Sequence, residues 1–347
     1  MARAAVVIPS WNGAHLLADC LRSLTRQSHP AQLIVVDNGS SDGTRALVAM
    51  RFPDVTLLTL PENRGFAGAV NVGIRRALAD GAEYVALLNN DAVAEPDWLR
   101  ELVGCAEAHP EAGIVASKLL LEDGVHIDST GDFYSSWGWA YPRGRDEVDR
   151  GQYDAPSLRE VFCGSGGASL FRARMLEEVG LFDEDFFAYL EDQDLGFRAQ
   201  LMGWRARYEP RAVAYHRMMG TSAALAHFGR YHAIRNCIYL YVKNVPAPLC
   251  WRYLPKFLLG LLLMALNDVR RRRFRAIAGA YLDALAHLPA MLARRRQIQA
   301  SRRVEVAYID SILVHPLPPT QRNLVRMARL LRPRRAGRAT PAAREAR

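Results

Sequence analysis

The sequence predicts an α/β fold whose first half is built on a parallel sheet. Three observations carry that reading. Apolar runs of strand length alternate with segments whose apolar residues recur at helical spacing. Polar clusters, Ser10–Gly13, Asp37–Asp42 and Asn89–Asp91, fall at the carboxyl ends of those runs, where open parallel sheets keep their ligand crevice. The 347 residues, 50% of them hydrophobic, suffice for a sizeable core in one large or two fused domains.

The elements follow in order. "RAAVVIPSW" reads as a buried strand, and "AHLLADCLRSLTRQ" as a helix with Leu16, Leu17, Cys20, Leu21 and Leu24 on one face. "AQLIVVDNGSSDGT" is a second strand running into a Gly/Ser/Asp turn, "TRALVAMRF" is helical, and "VTLLTL" is a third strand. "GFAGAVNVGIRRALADG" is a helix of small residues closed by Gly81, and "YVALLNNDAV" a fourth strand. From about residue 112 the pattern changes. Residues 124–153, rich in Gly, Trp and Tyr, predict loops. In "LEDQDLGFRAQLMGW", Glu191–Asp194 form the first turn of a helix, Leu195, Ala199 and Met202 an inward stripe, and Gly203 its close.

After Asn244 a third kind of sequence begins. The uncharged run 257–267, "FLLGLLLMALN", is shorter than the roughly 20 residues a bilayer-spanning helix needs. It is followed at once by "DVRRRRFR" and a second amphipathic segment. Residues 250–347 carry 21 Lys/Arg against 5 Asp/Glu, whereas residues 1–249 carry 24 against 31. A helical hairpin packed on the body would use the leucines. An interfacial anchor uses both features, with leucines at the headgroup boundary and arginines on anionic phosphates. No nucleic-acid module is visible, so the polyanion expected is a membrane surface. The last thirty residues, 318–347, predict a disordered basic tail. Five scattered cysteines without a CxxC fit a reducing compartment, and no signal peptide is expected from the N-terminal residues.

The chemistry-bearing stretches each have a bland and a sharp reading. "VVDNGSSDGT" is either an Asx-capped turn or an acid aimed at a base or ribose. No GxGxxG and no P-loop occurs, which argues against NAD and ATP chemistry. "LLNNDAV" gathers hard oxygen ligands that suit Mg²⁺ or Mn²⁺ held jointly with substrate phosphates. His216, after another apolar stretch, is a structural histidine or a ligand. In "YLEDQDLGFR", acids at a helix N-terminus complement the dipole. Asp192 nevertheless projects about 100° from Glu191, free to face a site as a general base.

The ordered set "VVIPSWNG", "VVDNGSSDGT", "ENRGFAGAVNVGI", "LLNNDAV", "GSGGASLFR", "GLFDEDFFAYLEDQDLGFRAQLMGW", "AYHRMMGTS" and "YHAIRNCIY" resembles the family 2 glycosyltransferases, in particular the bacterial rhamnosyltransferase-like branch acting on cell-envelope glycans. The resemblance covers about residues 4–245. It implies a GT-A fold, a Rossmann-like mixed sheet: residues 1–111 the nucleotide-sugar-binding half and 112–245 the acceptor-binding, catalytic half. Residues 246–317 follow as amphipathic basic helices for membrane association. It further implies an inverting transfer from a nucleotide-diphosphate sugar, dTDP-rhamnose favoured, to a lipid-linked or polysaccharide acceptor. The setting would be the cytoplasmic face of the inner membrane. By resemblance, Pro9, Trp11, Asp37, Asn63, Gly65, Asn71 and Asn90 would serve the nucleotide. Asp91 and His216 would hold Mg²⁺ or Mn²⁺, and Asp192 would be the base. Gly164, Ser165, Gly166, Gly167, Glu191 and Trp137 would border the sugars. Asn89 stands where the family has the first acid of its DxD-like motif. A sugar nucleotidyltransferase and a non-enzymatic membrane scaffold are the alternatives.

Overall fold

Seven elements alternate through the first ninety residues as the periodicity requires: β1 (Ala4–Ser10), α1 (Ala14–Leu24), β2 (Ala31–Asp37), α2 (Thr44–Arg51), β3 (Thr56–Thr59), α3 (Gly65–Ala79) and β4 (Tyr84–Leu88). They are seen in a computed structural model that describes residues 3–217 and 227–317. The tail expected over 318–347, and the "MMGTS" that follows Arg217 in the sequence, lie outside the described residues. β1 lies parallel to both β2 and β4, and β2 to β3. Successive strand residues face opposite layers. Val7, Val85 and Leu87 join the α3 side of the core, while Val6, Ile8, Ala86 and Leu88 join the α1 side. The small residues of α3 let it lie close: a Cβ on Gly73 would come within 2.3 Å of Val7.

The second half adds β5 (Ala92–Ala94), α4 (Trp98–Ala108), β6 (Ala112–Leu121), β7 (Ile127–Ser129), β8 (Asp132–Tyr134), β9 (Ala140–Pro142), β10 (Glu160–Val161), β11 (Ala168–Arg172), α5 (Ala173–Val179), α6 (Glu191–Leu201) and β12 (Arg205–His216). β11 runs antiparallel between β4 and β6 and joins the halves into one mixed sheet, ordered β10-β12-β6-β11-β4-β1-β2-β3. The stretch expected to be loops contains β7, β8 and β9, each of three residues. Strands that short leave almost no alternation to read.

Four helices and a last short one follow: α7 (Phe228–Asn244), α8 (Ala247–Arg270), α9 (Phe274–Ala286), α10 (Leu288–Ala300) and α11 (Val306–Ile312). α8 corrects the reading of the leucine run. The helix starts after Pro246 and has 24 residues, and among the described helices it alone is long and apolar enough to cross a membrane. One of its faces is nonetheless committed to the body. Phe257 stacks on Tyr241 at 3.9 Å between centroids, Gly260 lies under Trp139, and Asp268 pairs with Arg230 at 2.8 Å. The other face exposes Trp251, Leu258, Leu259, Leu262, Leu266 and Val269, beside the exposed Arg270–Arg273.

α6 is tied to α7 through buried charge. Lys243, 1% exposed, reaches Asp183 at 2.5 Å and Asp194 at 2.7 Å. Asp194, wholly buried, also binds Arg198 at 2.8 Å and Asn244 at 2.7 Å. Burial opposes its charge, but Lys243 and Arg198 overcome this and bring the carboxyl down to about 2. Removing one partner of a buried pair strands the others. Lys243→Met should therefore destabilise the fold by about 3–5 kcal/mol in urea unfolding. The stability that Asp194 contributes is fully present above its unfolded value of 3.8 and is lost as pH falls from there toward 2, which acid titration of unfolding would follow.

Candidate active site

The carboxyl ends of β1, β2 and β4 open into a cavity of about 650 Å³, a size that suits a small-molecule ligand. On the side of the first half it is lined by Pro9, Trp11, Asn38, Asn63, Gly65, Phe66, Asn89, Asn90 and Asp91. The second half supplies Asp128, Asp132, Arg145, Ser165, Gly166, Gly167, Phe187, Tyr189, Glu191, Asp192, Gln193 and His216. Residues far apart in sequence are thus brought together, and most of those singled out beforehand are among them.

Four expected residues are not on the wall. Asp37 is 0% exposed, its carboxylate accepting from Ser40 N–H at 3.1 Å and Arg45 Nε at 2.5 Å. It would have to release Arg45 to meet a base; its neighbour Asn38 faces the cavity instead. Asn71 is spent on structure. Its amide donates to Phe182 C=O at 2.8 Å and Glu184 at 3.0 Å, and its oxygen accepts from Phe182 N–H at 3.0 Å. Gly164 is packed so that a Cβ would lie 2.4 Å from Ser169 Oγ. Trp137 belongs to the apolar cluster of Trp139, Leu263 and Met264 under the C-terminal helices. The sequence marks all four as small, polar or aromatic at the right place, but only packing decides which way each one turns.

The acidic end of β4 is completed from elsewhere. β12 pairs with β5 so that His216 lies opposite Ala92, and with β6 so that it lies beside Leu121. β6 in turn pairs with β7, the strand of Asp128. His216 Nε2 thereby sits 3.1 Å from Asp91 Oδ1, and its Nδ1 sits 2.7 Å from Asp128 Oδ2. Arg145 closes the row with an ion pair to Asp128. Burial opposes charge on His216, but the hydrogen bonds to Asp128 and Asp91 outweigh it and raise the imidazole to about 9. Asn90 donates to Ser10 Oγ at 3.1 Å, which fixes its amide.

One carboxylate and one imidazole facing the same cavity fit a divalent ion that takes its remaining positions from diphosphate oxygens and water. Among the described residues no group of three or more His, Cys, Asp and Glu forms a complete protein cage. That is the donor set expected of an ion shared with a substrate. Ligation by His216 requires loss of its proton.

Asp192 stands in the first turn of α6, preceded by a left-handed stretch: Phe187, Tyr189 and Leu190 have φ of 61°, 69° and 68°. Its Oδ2 accepts from Gly166 N–H and its Oδ1 from Gln193 N–H, both at 2.8 Å. Burial raises its pKa, opposed by those backbone donors. Glu191 is 6% exposed, and burial, then the Asp192 charge, pushes it well above the usual carboxyl range. Asp132, which sequence reading passed over, is raised to about 7 by burial and then by Asp192, with Ser129 opposing. Carboxyls at such raised values are suited to proton transfer near neutral pH.

Non-glycine residues in left-handed backbone cost about 1–3 kcal/mol each and persist only where the surroundings hold them. Here α7 does so. Asn236, 0% exposed, donates from its amide to the carbonyls of Phe186 and Ala188 at 2.9 Å and of Tyr189 at 2.6 Å. Arg235 adds bonds to Asp185 and Phe186 C=O, both at 2.9 Å. "YHAIRNCIY" was legible as a motif; its service to α6 was not. Asn236→Asp removes the donor while keeping the shape. It should lower kcat roughly 10- to 100-fold with little change in donor KM, since it loosens the segment that leads into Asp192 and leaves the wall formed by residues 9–91 alone. Steady-state kinetics with varied donor would check this.

Comparison with known proteins gives the family. The description "Glycosyl transferase family 2" matches residues 5–180. An N-acetylglucosaminyl-diphospho-decaprenol L-rhamnosyltransferase of Mycobacterium tuberculosis is 30% identical over 269 residues, 72% of this chain and 88% of that protein. A poly-beta-1,6-N-acetyl-D-glucosamine synthase of Staphylococcus epidermidis is 26% identical over 215 residues, 60% of this chain and 48% of that protein. Among solved structures, S. aureus TarS has a TM-score of 0.54 at 16% identity, covering 86% of this chain and 90% of that one. The Pyrobaculum calidifontis mannosyltransferase PcManGT, in complex with GDP-Man and Mn²⁺, has a TM-score of 0.50 at 20% identity, covering 94% and 80%. These likenesses match the GT-A fold, and neither the nucleotidyltransferase nor the scaffold reading survives them. The chain is a family 2 glycosyltransferase with a GT-A fold and a helical C-terminal part.

Proposed function

We propose that this glycosyltransferase moves rhamnose from dTDP-rhamnose to a hydroxyl of a lipid-linked acceptor, with inversion and with Asp192 as general base. The observation that carries the reading is one cavity lined by both a metal-fitting pair, Asp91 and His216, and a recessed carboxylate held by two backbone N–H groups. The choice of sugar and acceptor rests on the 30% identical relative, whose name specifies a rhamnosyl transfer to an N-acetylglucosaminyl-diphospho-decaprenol.

Each residue then has a task. Trp11, with Pro9, Asn38, Asn63, Gly65 and Asn90, receives the nucleotide. Asp91 and His216 hold Mg²⁺ or Mn²⁺. The ion, when bound, neutralises charge that develops on the leaving diphosphate. Asp192 accepts the proton of the acceptor hydroxyl as that oxygen attacks the anomeric carbon. Gly166 and Gln193 keep its carboxylate from turning away. The exposed leucines of α8, with Leu282 and Leu285 of α9 and the arginines 270–273, rest on an anionic membrane surface at the cytoplasmic face of the inner membrane. Because α8 is bonded to the body along its other face, it lies in the interface rather than crossing it.

Each part of this reading has its own test. In a screen of dTDP-, UDP- and GDP-sugars read by nucleoside diphosphate release, dTDP-rhamnose should be turned over fastest; a clear preference for another donor would reject the rhamnose assignment. Asp192→Asn should lose at least about 10³-fold in transfer while calorimetry finds donor affinity within a few-fold of wild type, and Asp91→Ala should weaken metal-dependent donor binding. Since burial raises Asp192, its base form should be lost as pH falls at values above the ordinary 3.8, placing the acid limb of kcat there. Replacing Leu259, Leu262 and Leu266 together by Glu should weaken sedimentation with anionic vesicles at least 10-fold, whereas unfolding shifts by less than about 2 kcal/mol, since all three are exposed. Undiminished vesicle binding would reject the membrane face.

A further inference from the structure

The cavity holds a buried amide that the reading above does not employ beyond its backbone. Gln193 lines the cavity and is 2% exposed. Its side-chain nitrogen donates to Asp132 Oδ2 at 2.6 Å. Asp132 Oδ1 accepts from Ser129 Oγ at 2.6 Å, and Ser129 Oγ accepts from Gly131 N–H at 3.1 Å. With Asp132 ionised, each link in that row is a donor meeting an acceptor, which turns the amide nitrogen toward Asp132 and the oxygen away. That oxygen, Gln193 Oε1, is buried and has no hydrogen-bond partner among the described residues. Buried acceptors are satisfied in the great majority of cases, so an orphan on the floor of a ligand cavity points to the ligand.

We infer that Gln193 Oε1 accepts a hydrogen bond from a hydroxyl of the acceptor sugar, adjacent to the one Asp192 deprotonates, and that Asp132 sets the polarity of this contact. The inference rests on the function proposed above. A sugar hydroxyl is the group that fits: it brings the donor the orphan oxygen lacks, in a site already shaped for a sugar. Donor and acceptor sugars share that chemistry, and the acceptor is favoured by position. Ser129, Asp132 and Gln193 all belong to the second half of the chain, while the nucleotide side of the cavity comes from residues 9–91. The backbone N–H of Gln193 holds the base itself, at 2.8 Å from Asp192 Oδ1, so the reader and the base move as one unit. A site built to pair a substrate hydroxyl discriminates strongly against an analogue without it, because the buried oxygen is then stranded.

The test uses the full chain with dTDP-rhamnose and two acceptors: water, read as release of dTDP, and N-acetylglucosamine diphosphate on a short polyprenyl chain, with its monodeoxy analogues. Wild-type turnover with donor alone and with this acceptor tests the parent reading by itself. Gln193→Leu is expected to lower the ratio of transfer to hydrolysis roughly 10- to 100-fold. One monodeoxy analogue should impair the wild type by a similar factor and cause no further loss in Gln193→Leu. Asp132→Asn, which keeps the shape but can donate to Gln193 Oε1 and so consume the free oxygen, should reproduce the lowered ratio. If Gln193→Leu does not fold, Asp132→Asn decides alone. An unchanged ratio, or losses from variant and analogue that simply multiply for every analogue, would overturn the inference.

Discussion

The structure turns on three acids at the head of one helix, two buried and one half-buried. Taking carboxylates out of water is expensive unless each finds a partner or gives up its charge. Glu191, Asp192 and Asp194 solve the problem in three different ways. Asp194 is neutralised by Lys243, Arg198 and Asn244, and in doing so it fastens α6 to α7. Asp192 takes two backbone N–H groups and keeps a recessed but usable carboxylate. Glu191 Oε2 has no hydrogen-bond partner among the described residues, and burial pushes its pKa up. One acid builds, one faces the cavity, and the third is disfavoured as an anion beside it.

That division explains why α7 matters to a site it barely touches. The Lys243 end of α7 holds Asp194, and the Arg235–Asn236 turn of the same helix holds the left-handed segment 187–190 that leads into α6. The base is thereby fixed from both sides by one element. α7 is also the helix on which α9 and α10 pack, so the C-terminal helices are coupled to the base through a single rigid piece. The apolar surface of α8 and α9, proposed above to meet the membrane, is continuous with the frame that holds Asp192. The acceptor proposed here would reach the cavity from that same surface.

Much of the fold was legible in the sequence, because its first half obeys simple periods: four apolar strands and three amphipathic helices, each bounded by turn residues. The short strands β7, β8 and β9 were not, since three residues carry no period. The site was legible where a residue type is demanded by chemistry at a strand end or helix start, as for Asp91 and Asp192. It was not legible where orientation depends on a distant partner. Asp37 and Asn71 carry suitable groups, but Arg45 and the 182–184 backbone engage them. Conversely, Asp128 and Asp132 lie in a stretch that read as loop. Only the β6–β7 and β5–β12 pairings bring Asp128 to His216. The length of α8 was missed for a related reason: Arg252 and Lys256 interrupt the apolar run in sequence, yet the helix runs through them, with Lys256 reaching Ser136 and the largely exposed Arg252 reaching Asp310.

The departure at Asn89 fits the same electrostatic logic. An acid there would add a charge beside Asp91, in a cavity that already holds Asp128, Asp132, Glu191 and Asp192. The backbone N–H of residue 89 donates to Gly167 C=O at 2.9 Å, whatever its side chain. The negative charge at the carboxyl end of β4 is then carried by Asp91 alone, and the row Arg145, Asp128, His216, Asp91 alternates in sign along its length. Alternation keeps His216 in place without a metal and gives Asp91 a fixed direction. A diphosphate entering this site meets one negative ligand rather than two, so less repulsion must be screened before the sugar is bound. On the function proposed above, Asn89 is therefore consistent with a working site: the imidazole, backed by Asp128, would supply the second contact that an acid there would otherwise make.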